Sequence, residues 1–268
     1  MFHIRIPNSR VVKSTVRATL KGRFIPASIA GLLPYFVYLV IASVAGVFSM
    51  LLTDRLVLVA VIFALFGIFV LSPVTLGAVR WFWRVTDECE EPPSEVFYYF
   101  TNLNLYKRAV KCVLFLLFKC LTAIFACLLP FILVSVISNS WIYQFLGTEV
   151  PLWVAGLAVV QAFLRFVGII MGLAVISRYY LFPTIVVMDD NMILLEAIHI
   201  SVMVSRCSVI AFVSLVFSLL GWVLLSFLAV PLIYTVPLFF DAYAVHSRYA
   251  LVNYNQNLDY YNKQQYMI

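Results

Sequence analysis

Three charged side chains lie within long apolar stretches of this 268-residue chain, at Lys119, Arg165 and Asp241. A charge at the centre of a membrane helix costs about 2.5–3.5 kcal/mol, so it needs an ionic partner or a wet cavity. Arg165 precedes Arg178 by thirteen residues, about 20 Å along a helix. Antiparallel packing of the two stretches would set Lys119 and Arg165 at similar depth. Two cations with one carboxylate would suit an anion, such as a lipid phosphate or an anionic solute.

The same residues have a structural interpretation. Lys119 can extend its ammonium towards the membrane surface, and Arg165 can pair with Asp241 or with Gln161, one turn away, to fix the helix bundle. A proton or ion path is a third interpretation. The sequence therefore predicts an intramembrane polar or anion site at Lys119, Gln161, Arg165 and Asp241, and leaves its role open.

A second polar group consists of Asp189, Asp190, Glu196 and His199. A Glu-x-x-His pair shares a helical face, as in metal-binding helices, but such sites need a second helix with further carboxylates. Capping by Asp190 or Asn191 and a polar helix surface explain the group. We find no phosphate-binding loop and no nucleophile with a base, so the sequence predicts no catalytic residues, no cofactor and no metal. Five cysteines without CxxC spacing indicate reduced thiols, at residues 89, 112, 120, 127 and 207.

The composition is that of an integral membrane protein. Hydrophobic residues make up 64% of the chain and charged residues 11%, and the mean hydropathy is +1.03. Such a chain has too little polar surface to fold as a soluble globule. The apolar runs are continuous, which favours helices over a barrel, and each has about the 20 residues needed to cross the hydrocarbon. The predicted crossings are 26–52, 56–79, 109–137, 152–176 and 208–229, with a sixth after a turn at 231–237 that ends near 246–249.

The basic residues set the predicted orientation. Lys and Arg are frequent before residue 24, between residues 80 and 111, and between residues 178 and 206, whereas the segment 138–151 has none. Because basic segments stay on the cytoplasmic side, both termini are predicted to be cytoplasmic and 138–151 to lie outside. The net charge of +6 is then explained by basic residues that lie at the cytoplasmic surface of the membrane, where they meet anionic lipid. No nucleic-acid partner is predicted.

Amphipathic segments precede the hairpins. Residues 8–21 place valines on one face and basic residues on the other, which predicts an interfacial helix. In the second such segment Ser94 is a plausible N-cap, and Phe97, Phe100 and Leu103 share a face. The third runs from Ile193 to Arg206.

The predicted fold is therefore an all-α integral membrane protein with six transmembrane helices in three hairpins, each preceded by an amphipathic interfacial helix. It forms a single domain over 1–252, with units of about 8–84, 94–180 and 190–250, and a flexible polar C-terminal tail over 253–268. Pro73 to Arg84 and Pro237 to Arg248 share one spacing, which could mark a repeat or only the common ending of a basic-inside helix.

Several motifs resemble one family. They are Leu20-Lys21-Gly22-Arg23, Ser72 to Gly77, Val96 to Phe100, Glu196 to Arg206, Ser218 to Trp222, and Pro237. Together they are similar to the bacterial multi-pass membrane proteins catalogued as domain of unknown function 975. The resemblance implies a six-helix bundle in a bacterial cytoplasmic membrane and carries no established activity.

The sequence thus favours a non-enzymatic bacterial inner-membrane protein that binds membrane lipids, anionic ones among them, or a membrane protein partner. One alternative is a small transporter or permease component for an anionic solute or lipid, which would use Lys119 and Arg165. Another is an intramembrane enzyme acting on lipid, for which the sequence offers no catalytic set.

Overall fold

A computed structural model describes residues 9–52, 55–87, 89, 91–144, 152–226 and 231–265. The described residues form helices and no strands. The helices are α1 (Ser9–Leu20), α2 (Phe24–Leu51), α3 (Leu56–Thr86), a linker 3₁₀ helix (Pro93–Phe100), α4 (Leu103–Gln144), α5 (Leu152–Ile176), α6 (Phe182–Met188), α7 (Leu194–Ser226) and α8 (Leu232–Gln265). A short 3₁₀ turn, Ser177–Tyr179, follows α5.

Four helical segments within the described ranges are long and apolar enough to cross a membrane: Phe24–Leu51, Leu56–Thr86, Leu103–Val136 and Val159–Met188. A fifth is formed by Leu194–Arg206 and Ser208–Trp222 if these two straight parts, which meet at 75°, make one broken span. The predicted membrane class and the first four crossings are thereby supported, and six crossings are not confirmed.

The chain divides into two compact units. Unit 1 comprises residues 1–114 and 181–268, and unit 2 comprises residues 115–180. Unit 1 has an apolar core that joins α1, α2, α3, the linker helix, α7 and α8, and its largest buried side chains include Trp81 and Phe82. Unit 2 holds most of α4 together with α5.

Two prolines that were predicted to lie near helix ends lie inside helices instead: Pro73 in α3 and Pro237 in α8. Because proline has no N–H, each leaves the carbonyl four residues earlier without its helical partner. The Tyr106 hydroxyl donates to the Phe69 carbonyl, four residues before Pro73, over 3.2 Å. The Ser28 hydroxyl donates to the Ile233 carbonyl, four residues before Pro237, over 3.3 Å. Both gaps are therefore closed by a hydroxyl from a neighbouring helix.

The start of α8 packs beside the start of α2. The Tyr234 ring stacks on that of Phe24, with centroids 4.8 Å apart, and Ser28 bonds Ile233. A full sixth crossing would begin at the opposite end of α2, near Leu51, since α2 and α8 would then run antiparallel across the membrane. The contacts do not place Ile233 there.

Several local predictions need correction. The apolar face of α1 is buried against α7 and α8 through Val12, Val16 and Leu20, so it is not free to enter lipid. The linker helix begins at Pro93 and buries Val96 and Tyr99, so Ser94 is not its cap. Helix α8 continues to Gln265, and the flexibility of 253–268 stays a prediction.

Other predictions on helix ends fall partly outside the described residues. Helix α4 runs to Gln144, into the predicted outer loop, whose remaining residues 145–151 are not among those described. The aromatic Trp81-Phe82 pair near the end of α3 is buried in the core at 1% and 0% exposure. Tertiary packing uses these rings as core because α8 supplies Phe240, which stacks on Phe82 at 5.2 Å.

Gly77 decides how closely the linker helix approaches α3. A Cβ at this position would overlap the main-chain carbonyl of Val96. Gly168 allows a similar approach in unit 2, where a Cβ would lie 2.9 Å from the Cys127 oxygen. Gly22, by contrast, adopts a φ of 82° in the turn after α1, a conformation that favours glycine.

We expect Gly77→Ala to lower stability by about 2–3 kcal/mol, because the new methyl group must displace backbone rather than a mobile side chain. Gly67→Ala in the same helix is the matched control, since its Cβ would meet only a Leu71 methyl at 4.0 Å. Thermal unfolding of the two variants in detergent measures the difference. Equal midpoints would contradict the close approach of α3 and the linker.

The position of the α7–α8 hairpin can be tested by cysteine labelling in a cysteine-free background. With Arg55→Cys and Ile233→Cys, we expect a membrane-impermeant maleimide to label the two positions from different sides, or to leave position 233 unlabelled. Right-side-out and inverted vesicles provide the comparison. Labelling of both positions from one side would restore a full sixth crossing.

Candidate functional site: a buried arginine cluster

Unit 1 contains a polar cluster formed by Arg80, Tyr98, Tyr99, Arg108 and Asp190, called here the arginine cluster. Its members come from the end of α3, the linker helix, the start of α4 and the loop before α7. The cluster therefore joins four segments that are distant in the sequence.

Asp190 provides the carboxylate at its centre. One oxygen, Oδ2, lies 3.2 Å from a guanidinium nitrogen of Arg80 and accepts a hydrogen bond of 3.0 Å from the Tyr98 hydroxyl. The Arg80 guanidinium also stacks on the Tyr98 ring, 3.5 Å from its centroid. Arg80 is only 6% exposed, so the ion pair and the aromatic ring together replace most of its hydration.

Arg108 binds the backbone of the same loop. Its guanidinium donates to the carbonyls of Asp189 over 2.7 Å and Met192 over 3.1 Å, and also to the carbonyl of Asp190. These carbonyls follow the C-terminus of α6, where main-chain acceptors have no helical partner and a positive charge is favourable. Arg108 thus fixes the turn between α6 and α7.

The two tyrosines of the cluster have raised pKa values. Burial raises the pKa of Tyr98, and its hydrogen bond to Asp190 raises it further. Burial is also the main cause of the raised pKa of Tyr99, and the nearby Asp190 charge adds to it. Both phenols consequently stay protonated at neutral pH, and the Tyr98 hydroxyl donates to Asp190.

Four atoms of the cluster are buried without a hydrogen-bond partner among the described residues: Nε of Arg80, Nε of Arg108, Oδ1 of Asp190 and the Tyr99 hydroxyl. Two guanidinium groups face one carboxylate, so the cluster carries a net positive charge. Its chemistry is electrostatic: it can hold helices together and attract an anion, and it presents no nucleophile paired with a base.

The residues predicted as an intramembrane site are divided between the two units. In unit 2, the Arg165 guanidinium lies over the Phe131 ring at 4.6 Å, and Gly168 approaches the Cys127 carbonyl. Arg165 is thus at the level of Phe131 in α4. Lys119 precedes Phe131 by twelve residues, about 18 Å along the helix. The two cations are therefore not brought to one depth. Gln161 is half-buried in α5.

Asp241 belongs to unit 1, where it is fully buried. Neither of its carboxylate oxygens has a hydrogen-bond partner among the described residues. It lies between Phe240, which stacks on Phe82, and Ala242 in the apolar core. Its predicted pairing with Arg165 and the anion site itself stay predictions.

The second predicted polar group is dispersed. Glu196 and His199 are exposed on α7. Asp189 accepts a 2.8 Å bond from the Asn191 N–H and shapes the turn before α7. The predicted capping of that helix by Asp190 is not found, because the Asp190 carboxylate binds Arg80 and Tyr98 instead.

The arginine cluster was not predicted from the sequence. Its members are up to 110 residues apart and share no motif.

No protein-family model, curated protein or solved structure matches this chain. The resemblance to domain of unknown function 975 therefore stays a prediction, and the chain's function is argued from its own residues.

Asp190→Asn should lower stability by about 3 kcal/mol, because the buried Arg80 charge loses its counter-ion. Asp189→Asn is the matched control, since an amide oxygen can still accept from Asn191. The unfolding midpoint in detergent distinguishes the two adjacent substitutions. If they shift it equally, Asp190 is not the central carboxylate of the cluster.

Proposed function

We propose that this chain is a non-enzymatic integral protein of a bacterial cytoplasmic membrane, with both termini in the cytoplasm, and that it binds anionic membrane lipid. A membrane protein partner with an acidic surface is the second ligand that this charge pattern would suit. The observation that carries the proposal is the position of α1. Its apolar face is packed in the core of unit 1, and its basic face is exposed on the protein surface.

The basic face is a row of three exposed side chains, Arg10, Arg17 and Lys21. A fourth cation, Lys13, is half-buried and donates over 2.8 Å to the Ser218 carbonyl of α7. Lys13 and the buried valines thus anchor the helix on two sides. A cationic row held in this way meets anionic head groups with little loss of conformational freedom on binding.

The apolar helices support a membrane location for the row. Only 11% of the most apolar window of Phe24–Leu51 is buried within the protein, although that window has a mean hydropathy of 2.0. Exposed side chains of this kind are suited to lipid. For the C-terminal part, we propose that α7 and α8 form a re-entrant hairpin beside the start of α2, which leaves both termini on one side with four full crossings.

The transporter alternative depends on Lys119, Gln161, Arg165 and Asp241 acting as one site. The separation of Lys119 from Arg165 along α4 and α5 gives it less support than the lipid-binding proposal has. An intramembrane lipid-modifying enzyme would need a reactive set of side chains, and the arginine cluster has none.

Neutralising the row with Arg10→Gln, Arg17→Gln and Lys21→Gln should weaken the preference for anionic lipid. Each basic residue near an anionic surface contributes about 1 kcal/mol, so three give up to about 3 kcal/mol, roughly a hundredfold in affinity. The measurement is the stabilisation of the protein in nanodiscs as phosphatidylglycerol is added to phosphatidylcholine.

The matched control keeps the charge with Arg10→Lys, Arg17→Lys and Lys21→Arg, and should behave as the unmodified chain does. High salt should reduce the preference of both charged forms. A neutralised variant that keeps the full preference would overturn the role of α1 in lipid binding.

A further inference from the structure

Unit 1 has an open groove of about 650 Å³ between the end of α3, the middle of α8 and one side of α1. The groove starts at the C-terminal end of the candidate span Leu56–Thr86, where a membrane helix reaches the head-group layer. It is separate from the arginine cluster and from the exposed row on α1. Its lining residues are Thr15, Thr19, Thr86, Asp87, Val245, Arg248, Tyr249 and Val252.

One ion pair lies in this groove. Arg248 pairs with the carboxylate of Asp87 and also donates to the Thr86 carbonyl. The two charged side chains are 39% and 38% exposed. An ion pair this exposed contributes little to stability, so a ligand with both charges can insert between its partners at low cost.

The threonine hydroxyls make the groove rich in acceptors. Thr15 donates its hydroxyl proton to the Val11 carbonyl over 3.0 Å, and Thr19 donates to the Thr15 carbonyl over 2.7 Å. Thr86 donates to the Trp83 carbonyl in the same way. With their protons used, the hydroxyl oxygens of these three lining residues can only accept further hydrogen bonds. Asp87 adds a carboxylate, whereas the guanidinium of Arg248 provides donors.

A matching ligand needs several N–H donors on a cation and one anionic group nearby. We propose that this groove binds a phosphoethanolamine group, with its primary ammonium at Asp87 and the threonines and its phosphate at Arg248. The aminophospholipids of the membrane are the source to which we commit. Val245 and Val252 supply apolar surface for the methylene groups.

This chemistry excludes other common head groups. A choline group has the same charges but no N–H, so it cannot donate to Asp87 or to the threonine oxygens. A glycerol head group has hydroxyl donors but lacks the cation that Asp87 would attract. The inference rests on the proposed lipid-binding function and names a second site with a different head-group preference.

The test uses the full chain in phosphatidylcholine nanodiscs, to which equal fractions of phosphatidylethanolamine or phosphatidylglycerol are added. Native mass spectrometry counts the lipids that stay bound. We expect phosphatidylethanolamine to be retained at least tenfold over phosphatidylcholine. Asp87→Asn and Arg248→Gln should each remove this preference, and circular dichroism checks that both variants are folded.

The neutralised α1 variant separates the two proposals. It should keep its preference for phosphatidylethanolamine while losing that for phosphatidylglycerol. If the unmodified chain retains phosphatidylglycerol but treats the ethanolamine and choline lipids alike, the groove proposal is overturned and the proposed function stands. If no lipid class is retained over another, both fail.

Soluble glycerophosphoethanolamine distinguishes a free solute from a lipid. Binding of the soluble compound in detergent, lost in Asp87→Asn, would support the same recognition and assign a soluble source. If the Asp87→Asn variant retains phosphatidylethanolamine as well as the unmodified chain does, the assignment of the ammonium to Asp87 is wrong.

Discussion

The packing of unit 1 depends on the interactions of the Asp190 carboxylate. It is the counter-ion of a nearly buried arginine and the acceptor of a tyrosine hydroxyl, and these partners come from α3 and the linker helix. Arg108 fixes the backbone of the same loop from the start of α4. Since a buried guanidinium without a counter-ion is costly, these segments can meet in few other ways.

A second constraint acts on the helices themselves. Apolar helices in a membrane gain little from the hydrophobic effect when they pair, so close packing and hydrogen bonds must hold them together. Gly77 provides a close approach between α3 and the linker helix. Tyr106 and Ser28 provide hydrogen bonds at carbonyls that prolines have freed. Polar contacts therefore lie where the helices would otherwise be least regular.

Three groups of charges in the described part of unit 1 have different surroundings. The arginine cluster is internal and structural. The α1 row is external and suits anionic lipid, and the Asp87–Arg248 pair lies in a groove rich in acceptors. In the proposal made above, a chain with only 11% charged residues combines an internal polar junction with two separate sites for lipid head groups.

The amino-acid sequence by itself determined the helical membrane class and the bounds of α2 and α5 to within two residues. Continuous apolar runs leave a membrane helix as the favoured structure, and the prediction of 152–176 coincides with α5 (Leu152–Ile176). It also determined the two-sided character of α1, since helical periodicity is local. Lys119, Gln161, Arg165 and Asp241 could be named from sequence, but not their distances from one another.

Only the tertiary structure decided which polar residues meet. Arg80 and Asp190 are 110 positions apart, and no local pattern encodes their contact. The burial of Trp81 likewise depended on distant helices. The 75° bend after Arg206 and the contact of Tyr234 with Phe24 also have no signal in the sequence. Hydropathy measures whether a segment can enter a membrane, whereas its depth is set by the neighbours against which it packs.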